Sequence, residues 1–291
     1  MSASVRGTLH LEDARVLRQT AFAGEQFVLR LAAPACAAHA EPGSFVHVTC
    51  DPAIPLRRPL SIMRADARAG WIELLYKTVG PGLRALAGRA SGETVSIIGP
   101  IGAPFTLHPQ RPRVVLIGGG VGIPPMIFLA ERLHERSDAH YSPLVLMGSE
   151  IPFPFEPRAA SRPVAGLPAQ ASACLPLLED WGISSRLASR AGLPGCFDGY
   201  VTELAAQWLG TLAPAALAEV ELFACGPTPM LAATAQLARR YGVRCQVSLE
   251  EFMACGVGGC AGCTVRVRTS EGEAMKRVCV DGPVFDALEV F

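Results

Sequence analysis

Four cysteines near the end of this 291-residue chain constrain its fold and chemistry more than any other feature. Cys255 and Cys260 are separated by four residues, Cys260 and Cys263 by two, and Cys263 and Cys279 by fifteen. Four glycines lie between the first three cysteines: Gly256, Gly258, Gly259 and Gly262. The remaining cysteines are scattered singly: Cys36, Cys50, Cys174, Cys196, Cys225 and Cys245. Clustering confined to the tail indicates a metal site rather than a disulfide framework.

The spacing favours a two-iron cluster. A loop around such a cluster directs thiolates and backbone N–H groups inward, and glycine permits the backbone angles that this requires. Four residues followed by two is the spacing of plant-type [2Fe–2S] sites. Zinc is the alternative, since four thiolates also satisfy tetrahedral Zn²⁺, but zinc ribbons usually present two short cysteine knuckles. We predict a [2Fe–2S] cluster on Cys255, Cys260, Cys263 and Cys279, and retain a zinc-binding regulatory or scaffold module as the non-enzyme alternative.

The charge balance and the apolar content exclude several other classes of protein. Twenty-six basic residues balance twenty-six acidic ones, so no net field attracts nucleic acid or an anionic membrane. The longest uncharged apolar run, residues 114–130, is interrupted by four glycines and two prolines, which does not suit a membrane-spanning helix. Residues 1–11 lack the apolar core of a secretory signal. We expect a cytoplasmic protein with small-molecule ligands and protein partners, and with neither nucleic acid nor a membrane.

Short β-like runs separated by proline and glycine fill the first third of the chain. They are residues 26–31, 44–49, 71–76 and 94–98. Strands of this length with turn signals between them predict a small antiparallel β-barrel. We place this domain in residues 1–110, ending at a linker that contains two prolines.

Strand-like and helix-like segments alternate from residue 111 to about 245. The strands are residues 114–117, 144–147 and 221–224, and the helices are residues 125–136, 200–209 and 230–241. This alternation predicts an α/β nucleotide-binding domain with a parallel sheet and helices on its faces. Residues 151–174 contain five prolines and are interpreted as a long insertion or lid-like loop. Residues 246–291 then form a small C-terminal cluster domain.

Two motifs in the barrel region favour a bound flavin. The first is Arg58, Pro59, Leu60 and Ser61, and the second is Leu75, Tyr76 and Lys77, followed by Gly82 and Leu83. The planar fork of an arginine suits a diphosphate, and the serine can hydrogen-bond the edge of the isoalloxazine ring. The second motif offers an aromatic ring for stacking and amides for phosphate. An Arg-Pro surface turn and a tyrosine packed in the core are the alternatives.

Two turns of the α/β region favour a nicotinamide nucleotide. The first contains Gly118, Gly119, Gly120 and Gly122, and the second contains Cys225, Gly226 and Pro227. Each turn lies between a predicted strand and a predicted helix, and ligands gather at the carboxyl ends of parallel strands. Position 123 is Ile, so the first turn is not the G-x-G-x-x-G fingerprint. A tight structural turn and an ordinary buried thiol are the alternatives.

Taken in order, these motifs resemble the ferredoxin–NADP⁺ reductase superfamily. Within it, the run from Ser248 to Glu251 and the ending from Val278 to Phe285 resemble the electron-transfer subunits of class 1B dihydroorotate dehydrogenases. The resemblance covers nearly the whole chain. It implies FAD on the barrel motifs, NAD on the α/β turns and [2Fe–2S] on the tail cysteines. It also implies a heterotetramer with an FMN-containing dihydroorotate dehydrogenase catalytic subunit, and electron flow from dihydroorotate through FMN, the cluster and FAD to NAD⁺.

Two features depart from the family pattern: the proline-rich insertion, and Leu83 where a threonine is common. A reductase subunit for another partner, of the sulfide dehydrogenase or ferredoxin–NADP oxidoreductase type, is therefore the alternative assignment. NADP is also possible, although Glu150, just after a predicted strand, would repel a 2′-phosphate if it lies at the ribose site. We expect NAD.

Overall fold

The computed structural model describes residues 9–136 and 140–291. The chain forms two compact units. One comprises residues 1–105 and 249–284, and the other comprises residues 106–248 and 285–291. The first eight residues of the predicted barrel domain lie outside the described residues. The boundaries predicted at residues 110 and 245 remain predictions, but the cysteine tail belongs to the same unit as the barrel.

The first unit is built on a closed six-stranded barrel with the strand order β1-β2-β5-β4-β3-β6. Its strands are β1 (His10–Phe22), β2 (Gln26–Ala32), β3 (Phe45–Val48), β4 (Arg58–Asp66), β5 (Trp71–Lys77) and β6 (Thr94–Ile101), with short helices α1 (Pro34–His39) and α2 (Pro81–Ala87). All of its strand pairs are antiparallel. Leu29, Leu31, Ile62, Ile72 and Leu74 are completely buried in its core. The predicted antiparallel barrel is confirmed.

The second unit alternates strands with helices. Its elements are β7 (Arg113–Gly119), α3 (Ile123–Glu135), β8 (Ser142–Gly148), β9 (Arg158–Ala159), β10 (Ala173–Cys174), α4 (Pro176–Asp180), β11 (Ser184–Ala188), α5 (Val201–Gly210), α6 (Pro214–Leu217), β12 (Val220–Cys225), α7 (Thr228–Tyr241) and β13 (Arg244–Ser248). Strands β11, β8, β7, β12 and β13 are neighbours in that order, and each adjacent pair is parallel. Their near-continuous apolar sequences suit a sheet that is buried on both faces.

The connection order creates a switch point in this sheet. The chain leaves β7 towards β8 and β11 on one side, and later adds β12 and β13 on the other side of β7. Cys225 at the end of β12 pairs with Gly118 at the end of β7. Both predicted nucleotide turns therefore start side by side, at the place where ligands bind in open α/β sheets.

The proline-rich insertion is tied to the edge of this sheet. Its strands β9 and β10 form a two-stranded sheet. The backbone N–H and the hydroxyl of Ser161 both donate to the Glu179 carboxylate on α4. Insertion residues 163–165 line a cavity of about 300 Å³ with the first residues of β7, β8 and β11. These residues lie at the amino ends of the strands, opposite the end that carries Gly118 and Cys225.

The tail contains a hairpin and a final strand. Its elements are β14 (Thr264–Thr269), β15 (Gly272–Arg277), β16 (Val284–Asp286) and helix α8 (Ala287–Val290). Strand β16 is the last strand of the six-stranded sheet, next to β13. The sequence did not predict β14 and β15 as strands. No helix in the described part of the chain has the length and apolar character to cross a membrane.

Candidate iron–sulfur, flavin and nucleotide sites

The tail hairpin brings the third and fourth cysteines together. Thr264 pairs with Arg277 at the open end of the β14–β15 hairpin. One step beyond this pair, the Val278 N–H donates to the Cys263 carbonyl at 3.0 Å. The Sγ atoms of Cys263 and Cys279 are consequently 3.3 Å apart, and both residues are buried. The fifteen residues between these cysteines thus form a hairpin whose two ends lie side by side.

The first two cysteines form a second pair in the glycine-rich loop. Burial raises the pKa of Cys255, but hydrogen bonds from the backbone N–H groups of Val257 and Cys260, the Cys260 side chain and the Gly259 N–H lower it to about 7. Cys260 is exposed and its Sγ accepts the Gly262 N–H at 3.4 Å. Converging amides of this kind stabilise a thiolate, which is the form that binds metal.

The two pairs are adjacent. Burial and then the neighbouring Cys263 thiol raise the pKa of Cys279 to about 12, the Gly258 N–H lowers it, and Cys255 adds a smaller increase. Four thiols with backbone N–H groups directed at their sulfurs are the ligands and donors that a [2Fe–2S] cluster requires. The donor set therefore fits a [2Fe–2S] cluster.

The first flavin motif lies at the start of β4. The Arg58 guanidinium packs directly over Gly82 in α2. A Cβ atom added to Gly82 would lie only 3.1 Å from Nε and 3.2 Å from Nη2 of Arg58. Nη1 of Arg58 donates to the Leu56 carbonyl at 2.8 Å. Arg58 and Gly82, which the sequence assigned to one FAD site, are therefore in contact. Leu83, assigned to the same site, is buried in the same helix.

The remaining flavin candidates differ in their surroundings. Pro59, Leu60 and Ser61 continue along β4, where they pair with His47, Val46 and Phe45 of β3. Leu75, Tyr76 and Lys77 end β5. The Tyr76 ring stacks on Phe27 with centroids 5.5 Å apart, and its hydroxyl donates to Gln19 at 2.8 Å. Burial raises the pKa of Tyr76. This packing matches the core alternative for Tyr76, and its place in a flavin site remains a prediction.

The two adjacent arginines at β4 have different roles. Nη1 of Arg57 donates to the Ser96 carbonyl at 2.8 Å and to the His47 carbonyl at 3.2 Å, and Nη2 donates to the Ser96 hydroxyl at 3.0 Å. Arg57 thus ties β3 to β6 through their backbones. Arg58 faces Gly82 instead. Because successive side chains in an extended chain point to opposite sides, Arg57 has a structural role and Arg58 remains the candidate for ligand binding.

Sequence reasoning missed His47, which is completely buried on β3. A Cβ atom on Gly256 would lie 2.7 Å from its Nδ1 atom, so the ring packs on the cluster loop. Burial lowers the pKa of His47 to about 4; Arg57 and Arg58 act in the same direction, and the backbones of Cys255 and Met253 oppose it. The ring is therefore neutral at neutral pH. No signal in residues 44–49 indicates that a segment two hundred residues later covers this side chain.

The two nucleotide turns are in direct contact. A Cβ atom on Gly122 would lie 2.4 Å from the backbone carbonyl of Cys225 and 2.5 Å from the Gly226 nitrogen. The α-carbon of Gly119 lies 3.2 Å from the position of a Cβ on Gly226, and Pro227 also packs on Gly119. Gly120 faces open space. The sequence candidates of the two turns therefore assemble into one glycine-lined surface that a nucleotide can approach closely.

Polar side chains flank the same end of the sheet at β8 and β11. Glu150 and Arg190 follow these strands, and both are exposed. The Glu150 Oε1 atom accepts the Arg190 N–H at 3.5 Å, and the Arg190 guanidinium donates to the Tyr200 hydroxyl at 2.6 Å. The sequence singled out Glu150 alone; the parallel pairing of β8 and β11 adds Arg190 and, through it, Tyr200.

Comparisons with known proteins agree with these features. The iron–sulfur cluster binding domain of dihydroorotate dehydrogenase B matches residues 250–291. The electron transfer subunit of dihydroorotate dehydrogenase B (NAD⁺) from Geobacillus sp. (strain WCH70) is 34% identical over 285 residues, which are 96% of this chain and 98% of that protein. Its counterpart from Bacillus caldolyticus is 37% identical over 257 residues, 86% of each protein.

Solved structures show the same architecture. An NADH-dependent reduced ferredoxin–NADP oxidoreductase superposes with a TM-score of 0.75 and 26% identity, covering 96% of this chain and 90% of that one. Phthalate dioxygenase reductase superposes with a TM-score of 0.56 and 16% identity, covering 92% and 76%, and shows the shared fold. The resemblance seen in the motifs is confirmed: this chain belongs to the family of electron transfer subunits of dihydroorotate dehydrogenase B (NAD⁺).

Proposed function

We propose that this chain carries electrons between an FMN-containing dihydroorotate dehydrogenase catalytic subunit and NAD⁺, using its own [2Fe–2S] cluster and FAD. The observation that carries the proposal is the arrangement of two thiol pairs in the same compact unit as the barrel strands that bear Arg58. A two-iron cluster carries single electrons, and a flavin exchanges single electrons for a hydride. The chain therefore needs positions for both groups, and this unit offers both.

The residues of the first unit would hold the two groups as follows. Arg58 would bind the flavin diphosphate, because its guanidinium lies against Gly82 and forms no ion pair with a carboxylate of residues 9–136 or 140–291. Ser61, three residues along β4, would hydrogen-bond the ring system. Cys255, Cys260, Cys263 and Cys279 would ligate the irons, and the amides of Val257, Gly259 and Gly262 would donate to their sulfurs. Each contact stabilises negative charge, which suits a reduced cofactor.

The second unit would hold the nucleotide. The turns at Gly118–Gly122 and Cys225–Pro227 expose backbone with little side-chain cover, so the pyrophosphate can approach main-chain N–H groups. Glu150 beside Arg190 favours NAD over NADP, since a carboxylate would repel a 2′-phosphate and can accept from a ribose hydroxyl. NAD also agrees with the names of the relatives.

Exposed apolar side chains on the cluster loop support a protein partner at this place. Phe252 is 93% exposed, Val257 is 42% exposed, and the ligand Cys260 is itself exposed. An aromatic side chain exposed to this degree, close in sequence to an exposed valine and an exposed ligand, is a residue type that is enriched where protein partners bind. We assign this surface to the catalytic subunit of a heterotetramer, which would place the partner next to the cluster. None of the ten cysteines, all of which the structure describes, forms a disulfide, which fits a reducing compartment, and we place the protein in the cytoplasm.

The decisive experiment is coexpression of this chain with the FMN-containing subunit, followed by an assay of dihydroorotate-dependent NAD⁺ reduction. The purified complex should contain FAD, FMN and about two irons per copy of this chain. Phe252→Ser should reduce recovery of the partner at least about tenfold, because a central aromatic anchor is lost. Met275→Ser, at a 65% exposed methionine of the hairpin, is the control. Colourless protein that holds only zinc would refute the proposal.

A second candidate function is ferredoxin-linked NAD(P) oxidoreduction. It is favoured by the structural match to the NADH-dependent ferredoxin–NADP oxidoreductase over nearly the full length of both chains. The two candidates share the cofactors and differ in the partner. Recovery of a ferredoxin-reducing complex from native cells, without an FMN-containing dihydroorotate dehydrogenase, would select this second candidate.

A further inference from the structure

His47 combines full burial with unpaired polar atoms. Its relative exposure is 0%, and neither ring nitrogen forms a hydrogen bond of normal geometry with any residue in the described part of the chain. Buried polar side-chain atoms have a hydrogen-bond partner in the large majority of cases. An imidazole held in this way therefore calls for an explanation beyond packing.

The ring points at the first ligand of the cluster loop. Polar backbone groups of Met253 and Cys255 lie close enough to favour its protonated form, although neither closes a full hydrogen bond. A Cβ atom on the next residue, Gly256, would lie 2.7 Å from Nδ1 and 3.2 Å from Cγ. Gly256 has a φ of +68°, a left-handed conformation that favours glycine, and a side chain at this position would collide with the ring. The imidazole thus packs against the backbone of Cys255 and Gly256.

The other side of His47 belongs to the flavin strands. In the β3–β4 pairing, His47 lies opposite Pro59, and Val48 lies opposite Arg58. The His47 carbonyl accepts a hydrogen bond from Arg57 at 3.2 Å. One residue therefore connects the strand that carries the FAD motif with the loop that carries Cys255, and all of these residues belong to one compact unit.

We propose that His47 is a positioning residue that holds the Cys255–Gly256 peptide against the flavin-binding strands. When the cluster is bound, a small movement of the loop closes a hydrogen bond from the imidazole N–H to this backbone. The bond fixes the direction in which the neighbouring amides point at the sulfurs. Hydrogen bonds to the sulfurs are among the factors that set the reduction potential of such clusters. The inference rests on the proposed function, because it requires the cluster.

The test compares His47→Leu, His47→Asn and His47→Ser with wild-type full-length protein. Leucine fills the space without a donor, whereas asparagine places an amide near the position of Nδ1. His39→Leu, at an exposed histidine of the same unit, is the control. The measurements are iron and FAD per chain, the EPR spectrum of the reduced cluster and its midpoint potential from a redox titration.

We expect His47→Leu to lower the midpoint potential, to broaden or shift the EPR signal and to lose at least half of the iron on gel filtration, with FAD unchanged. His47→Asn should restore the wild-type spectrum, and His39→Leu should match wild type throughout. Wild-type potential, spectrum and iron in His47→Leu would overturn the inference.

If His47→Leu fails to fold, His47→Ser decides, because it removes the ring without adding an apolar group. A wild-type spectrum in His47→Ser, or an altered spectrum in His47→Asn with FAD intact, would overturn the hydrogen-bonding role. A wild-type protein that contains no cluster would instead refute the proposed function itself, so the two failures are distinguishable.

Discussion

The two units of this protein prepare their ligand sites by different means. In the unit with the barrel and the tail, side chains provide the chemistry: a guanidinium over Gly82, two thiol pairs and a buried imidazole. In the α/β unit, bare backbone provides it, because Gly122 packs against the Cys225–Gly226 peptide. A site built from side chains should lose its ligand when a functional group is removed. A site built from backbone should lose its ligand when a side-chain atom is added. The following substitutions test that difference.

The largest effect is expected from Cys260→Ser. It removes one of the four thiols, so the EPR and visible signals of the cluster should disappear while FAD per chain stays at its wild-type level. Cys196→Ser, at a thiol outside the tail, is the control. Simultaneous loss of FAD and iron would show that the two sites of the first unit are not separable.

Gly122→Ala tests the backbone site by adding one methyl group. The new Cβ atom would lie 2.4 Å from the Cys225 carbonyl, and overpacking of this kind costs about 1–3 kcal/mol. We expect the KM for NADH to rise at least about tenfold, with FAD and iron unchanged. Gly210→Ala is the matched control, since its new Cβ atom would meet only the end of the Tyr241 side chain. Normal NADH kinetics in Gly122→Ala would contradict the backbone site.

Arg58→Ala tests the flavin site. Charge-assisted hydrogen bonds contribute about 1.5–3 kcal/mol, so the dissociation constant for FAD should rise about tenfold or more. Flavin release on dilution, measured by fluorescence, reports the change, and cluster content should remain unaltered. Arg68→Ala, on an exposed turn, is the control. Unchanged flavin affinity would remove Arg58 from the site.

The smallest effect is expected from Glu150→Gln, which changes a charge without adding bulk. Exposed charge interactions contribute about 0.2–1 kcal/mol, so the ratio of kcat/KM for NADPH to that for NADH should rise about threefold. Glu156→Gln, at another exposed glutamate, is the control. An unchanged ratio would place Glu150 away from the ribose.

The accuracy of sequence prediction also differed between regions. The spacing of the tail cysteines predicted a cluster domain, which the family comparison supports, and the ligand set itself stays a prediction. Strands β14 and β15 were missed, although Val265 and Val267 alternate there with polar residues. The segment around these strands is rich in glycine and cysteine and was interpreted only as a cluster domain, so the hairpin was not predicted. Strand β1 was missed for another reason: its sequence is rich in charged residues, and its pairing with β2 and β6 makes it a strand.

The other features that the sequence did not predict depend on packing between residues that are far apart in the chain. His47 lies between two valines, and its burial depends on residues 253–256. The contact between Gly122 and Cys225 depends on the parallel register of β7 with β12. Residues 163–165 of the insertion pack at the amino ends of the strands, which the sequence did not predict. None of these placements has a local signal, because each depends on a partner far away in the sequence.

The path of the chain through its two units has a consequence for biogenesis. The barrel unit begins with the N-terminal residues, is interrupted by residues 106–248 and is completed only by residues 249–284. On the ribosome, the strands of the barrel emerge first, residues 106–248 of the sheet unit follow, and the cysteine loop emerges after them. The His47 ring therefore stays uncovered until residues 253–256 have been synthesised. All four thiols are present only after Cys279 has been synthesised, so a complete cluster site forms later than the barrel strands and residues 106–248.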